Sequence, residues 1–94
     1  MITYTIKHHV PGRIRIEIPG IKKMDLDSLI RLSEAVTRRW RIAGIRDFSA
    51  NPLTGSATIT YDPSAINILA YLSAVAADEE IEHAIKKGVL HEVR

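Results

Sequence analysis

The chain has 94 residues and no cysteine, which excludes disulfide stapling, thiolate catalysis and thiolate metal ligation. Its 13 Lys and Arg against 11 Asp and Glu leave a formal charge of +2, too small an excess for binding dominated by a nucleic-acid backbone. One domain over residues 1–94 is expected, with a thin aliphatic core; no leader pattern opens it and no apolar run approaches the ~18 residues of a membrane span, so a cytoplasmic protein is the expectation.

From Ile2 to Ile18 the even positions read Ile2, Tyr4, Ile6, His8, Val10, Gly12, Ile14, Ile16 and Ile18, and the odd positions are mostly Thr, Lys, His and Arg. This is strand periodicity. At about 3.3 Å per residue one unbroken strand would exceed 50 Å, so Pro11-Gly12 reads as a bend or bulge between segments at roughly 2–9 and 12–18. Residues 1–10 then form an N-terminal strand extension, a natural edge for pairing with a second copy or a protein partner.

Pro19-Gly20 ends the strand. Asp25 or Asp27 can cap a helix whose inward positions are read as Leu26, Leu29, Ile30, Ser33, Val36 and Trp40, and Gly44 stops it. Ile45–Ala50 and Ser56–Tyr61 follow as strands of a hairpin, joined by Asn51-Pro52-Leu53-Thr54-Gly55. Ala57, Ile59 and Tyr61 face the core. Asp62-Pro63-Ser64 opens a second helix with Ile66, Leu69, Leu72 and Ala76 inward. Residues 78–94 read as a C-terminal helix and tail: acid first and base last suggest a further short helix from Asp78, and Val89–Arg94 is left as a short final strand or loose tail. The order is β-α-β-β-α-(α)-β, an α+β antiparallel sheet with helices on one face.

The stretch Ile45–Pro63, with its Asn-Pro-Leu-Thr-Gly turn and Tyr-Asp-Pro end, resembles the second strand, hairpin and third strand of heavy-metal-associated domains. Arg15–Ile21, ending Ile-Pro-Gly-Ile, is similar to the first strand of that family and its entry to the metal loop. The resemblance implies a ferredoxin-like β-α-β-β-α-β sandwich and a role in metal trafficking. Where that family carries Cys-x-x-Cys, this chain has Lys22, Lys23, Met24, Asp25 and Leu26, so the soft-ligand site for copper or zinc is missing and the resemblance is to a cysteine-free variant.

Histidine is the remaining ligand type for zinc, copper, nickel or iron, and His8, His9 and His91 are the metal candidates. His8 shares the apolar register of Ile6 and Val10, while His9 lies on the polar register beside Lys7. In a regular strand they point to opposite faces and share an ion only across a bulge near Pro11. His91 joins them if the last segment pairs with the first strand; His83 sits on the late helix. A haem iron would need axial histidine over an apolar pocket, which so small a chain forms between two copies.

Arg13 and Arg15 are candidates for binding a partner's acidic patch or a phosphate. The open sheet face, read as Arg13, Arg15, Glu17, Ser, Thr and Asp47, offers no aromatic pair for base stacking, which argues against nucleic acid. Pro11-Gly12-Arg13 with Asn51 faintly echoes the acylphosphatase site on the same topology, but no nucleophile, base and orienting group stand together. The sequence reading is therefore a non-catalytic accessory or binding module related to metal-trafficking domains. It acts by protein contacts, with histidine as the route to a metal or haem.

Overall fold

Pro11 and Gly12 reverse the chain instead of bending it. The computed structural model describes residues 2–93, and the side chains of 2–86. Gly12 takes φ +89°, a conformation open to a residue without Cβ, and with Pro11 before it closes a two-residue turn between β1 (Thr5–Val10) and β2 (Arg13–Glu17). The two halves of the alternating segment thus pair with each other.

Two further strands, β3 (Ile45–Asn51) and β4 (Ser56–Tyr61), complete an antiparallel sheet in the order β1-β2-β4-β3. The hairpin between them is as the sequence implies: Asn51 Oδ1 accepts from the Leu53 N–H at 2.9 Å, and Gly55 has φ +70°. The edge beside β2, which a final strand at 89–94 would have taken, is filled by β1 from the other end of the chain. Residues 89–93 are instead helical, within α3 (Glu79–Val93). Arg94 lies outside the described residues.

Alternation along β2 and β4 sets the two faces of the sheet. Ile14, Ile16, Ala57, Ile59 and Tyr61 are buried, and Arg13, Arg15, Thr58 and Thr60 turn the other way. Helices cover the first face. In α1 (Leu26–Trp40) the Asp25 carboxylate caps the Ser28 N–H at 2.7 Å, and Leu29, Leu32, Ala35 and Val36 are buried. The stripe is rotated from the one read in the sequence, because Leu26 and Ile30 are 70% and 47% exposed. Each large aliphatic side chain fully buried here contributes about 1.5–3 kcal/mol of transfer free energy.

The second helix, α2 (Ile68–Ala76), starts later than Pro63 suggests. Asp62 Oδ1 accepts from the Ser64 N–H at 3.0 Å and from the Ser64 hydroxyl at 2.7 Å, which holds that segment as a turn; Asn67 caps the helix through the Ala70 N–H at 3.2 Å. Ile68, Tyr71, Leu72 and Ala76 are buried, whereas Leu69 is 49% exposed. Asp78 then caps α3 and ties it to the end of α1, as its carboxylate accepts from Trp40 Nε1 at 2.7 Å and Arg39 Nε at 2.9 Å.

Candidate functional site

Every residue of β1 is exposed, and β1 is the edge of the sheet nearest the N-terminus. Its pairing with β2 slips between Ile6 and His8, leaving Lys7 as an extra residue. One inserted residue inverts the side-chain phase beyond it. Ile6 lies opposite Ile16 on the covered face, as alternation predicts, but His9 now lies opposite Ile14 and His8 opposite Arg15.

The two histidines therefore exchange the roles that alternation gives them. His9 turns to the covered face, where its Nε2 lies 2.8 Å from the Tyr61 hydroxyl, and Tyr61 is 4% exposed. His8 is on the open face with Arg15 as its cross-strand neighbour. The bulge does not bring them onto one ion. His91 falls within α3 and its side chain lies outside the described residues; helix there removes the strand pairing that would set it beside His8. His83, also on α3, is exposed.

Among the described residues no three His, Asp or Glu side chains converge as a metal cluster. The segment that resembles the entry to a metal loop is a 3-10 turn over Pro19–Lys23, in which Ile21 is fully buried and Met24, just beyond it, is 5% exposed. The soft thioether of Met24 is thus spent on packing, and the exposed side chains are the cations Lys22 and Lys23, which repel a metal ion. These residues do not fit a soft-metal site.

The open face is organised in transverse rows. His8, Arg15, Thr58 and Ser49 form one, and Val10, Arg13, Thr60 and Asp47 form the next. Thr5, Glu17, Ser56 and Asn51 form a third. Arg13 and Arg15 are both exposed and adjacent on this face, as read from the sequence. The row of Arg13 is four residues, about 13 Å along the strands, from the row of Asn51, and the two residues also stand two strands apart. Asn51 also spends its side chain on its own turn. The acylphosphatase echo does not assemble.

Two features here carry no signal in the sequence. The flanking Thr58 and Thr60 are ordinary strand residues until the register aligns them with the arginines. The bulge at Lys7 has no composition of its own.

Comparison with known protein families shows that the family model for heavy metal associated domain 2 matches residues 2–93. Searches among curated proteins and among solved structures find no match.

Proposed function

The chain belongs to the heavy metal associated domain 2 family, and from that premise we propose that it is a non-catalytic accessory module of metal handling, working through contact with protein chains and first with a second copy through β1. The observation that carries this reading is the position of β1, exposed along all six residues at the edge of the sheet. In a two-residue hairpin the closing pair, Val10 and Arg13, is hydrogen-bonded, so the next residue, His9, aims its N–H and C=O at the free edge.

A symmetric antiparallel pairing centred on His9 sets Val10 of each copy beside His8 of the other on the open face. It covers part of Val10, which is 41% exposed in the single chain. The Lys7 bulge stops such pairing from running further toward the N-terminus. Metal binding enters this reading through His8: because His9 is engaged with Tyr61, a transition metal at His8 needs its other donors from the second copy.

Light scattering across the micromolar to millimolar range tests the contact, and the expected mass is that of two chains. His9→Pro, which deletes the outward N–H, is expected to leave single chains. Single chains at every concentration in the unaltered protein would sink the proposal. Calorimetry with zinc, copper, nickel, ferrous iron and haem tests the second part: the ion is expected to bind one per two chains and to fail with His8→Ala.

A further inference from the structure

We infer that Arg13 and Arg15 form an anion site on the open sheet face for the diphosphate group of a small molecule. The two residues are adjacent on one face of β2, about 6.6 Å apart along the strand, so two flexible guanidinium groups reach the same ligand. Each has donors beside it. Arg15 lies between His8 and Thr58, and Arg13 has Thr60 as its neighbour toward β4. Hydroxyl and imidazole N–H groups thus border the guanidinium forks.

Among the described residues the arginines have no competing partner. Among the described residues neither makes an ion pair, whereas Arg38 and Arg39 are held by Glu80 and Asp78 at 2.9–3.1 Å. Two carboxylates share this face: Glu17, two residues beyond Arg15 along β2, and Asp47, one strand beyond Thr60. Neither carboxylate is within ion-pair distance of an arginine, so both guanidinium forks keep their donors for a ligand, and two phosphoryl groups supply one bidentate acceptor for each.

The same face shows what the ligand is not recognised by. Phe48 and Tyr61, the aromatic residues of β3 and β4, both turn to the covered side. A nucleobase finds no stacking platform, so binding is to the phosphates.

Inorganic pyrophosphate titrated into the full chain at low salt, followed by calorimetry and amide NMR, tests the assignment. Saturable binding is expected, with shifts centred on Arg13, Arg15, Thr58 and Thr60. Arg13→Gln and Arg15→Gln are each expected to weaken it about tenfold, and Glu17→Gln to tighten it. The double variant Lys22→Gln, Lys23→Gln removes the same charge elsewhere and is expected to leave binding unchanged. Circular dichroism reports that each variant is folded.

Two sources of a diphosphate are separated by a parallel titration with ADP, expected to match pyrophosphate. ADP binding far more tightly would move recognition to the nucleoside and overturn the assignment. So would an absence of saturation, an equal loss in the lysine variant, or a single-stranded oligonucleotide that binds while pyrophosphate does not.

Discussion

Trp40, at the last position of α1, donates its indole N–H to Asp78 Oδ2 at 2.7 Å, joining the end of one helix to the cap of another across 38 residues of sequence. The other oxygen of the same carboxylate accepts from the Glu80 N–H at 2.9 Å and the Ile81 N–H at 3.3 Å. The Asp78 side chain is 3% exposed, and Arg39 at 2.9 Å balances its charge. The ring of Trp40 packs edge-on against Tyr71, whose hydroxyl donates to the Trp40 carbonyl at 2.7 Å. One carboxylate thereby fixes where α1 stops and where α3 begins.

Removing that carboxylate should be among the most damaging single changes in the chain. Asp78→Ala deletes a helix cap and strands the indole N–H, with an expected cost of about 2–4 kcal/mol. Asp78→Asn keeps an acceptor for the cap and should cost less. Urea unfolding followed by Trp40 fluorescence measures both, and equal stability of Asp78→Ala and the unaltered chain would contradict the role assigned to the junction.

The same group makes stability depend on acid. Burial pushes the Asp78 carboxyl up, but hydrogen bonds from Trp40, Arg39 and the backbone of Ile81 and Glu80 outweigh it and hold the value below the ordinary 3.8. A folded value below the unfolded one means that the ionised form is favoured by folding. Its contribution is present in full above the ordinary carboxylate range and is lost as pH falls through that range to the folded value. Unfolding free energies measured from neutral pH downward should therefore fall more steeply in the unaltered chain than in Asp78→Ala.

The rotated stripe of α1 gives a direct comparison between two leucines. Leu32 is 2% exposed and Leu26 is 70% exposed, although simple helical spacing puts Leu26 inward. Leu32→Ala should cost about 2–5 kcal/mol, and Leu26→Ala should lie within about 0.5 kcal/mol of the unaltered chain. Thermal unfolding of the two variants decides it.

A third site of sensitivity is Gly44, between α1 and β3. It takes φ +100°, and a Cβ there would stand 3.2 Å from Ala65 Cβ and 3.3 Å from Ile66 Cβ. Strain and crowding act together, so Gly44→Ala should destabilise by about 1–3 kcal/mol. The denaturation midpoint of that variant provides the check.

Much of this architecture is legible in the sequence where the signal is local. Ala57, Ile59 and Tyr61 face the core as their alternation says, Asn51 and Gly55 make the turn their chemistry demands, and Asp25 caps α1. The C-terminal segment is a different case. Acid first and base last predicts a helix start at Asp78, but nothing in Val89–Val93 says that the helix continues, because a short apolar run fits either helix or strand. Once α3 takes those residues, the edge of the sheet is open to β1. Alternation through residues 2–18 fits one bent strand as well as two paired ones, so the Pro11-Gly12 hairpin was legible as a break and not as a pairing. The Arg13 and Arg15 face was legible from period two alone; its flanking Thr58 and Thr60 depend on a register that forms only across the sheet.

The bulge at Lys7 yields the sharpest test, since it reverses which histidine matters to the fold. Alternation makes His8 the packing residue, but the structure gives that role to His9, which meets the buried Tyr61 hydroxyl at 2.8 Å. Tyr61→Phe keeps the ring in the core and removes only the bond. It should cost about 0.5–1.5 kcal/mol, as should His9→Ala, and the double variant should cost less than their sum because the two share one interaction. His8→Ala, on the open face, should be within about 0.5 kcal/mol of neutral. Hydrogen exchange of the β1 amides should quicken in the first two variants and not in the third, because the bond anchors an edge strand to the sheet it borders. If His8→Ala loosens β1 and His9→Ala does not, the strand keeps its phase through Lys7, and the bulge that separates the two imidazoles is absent in solution.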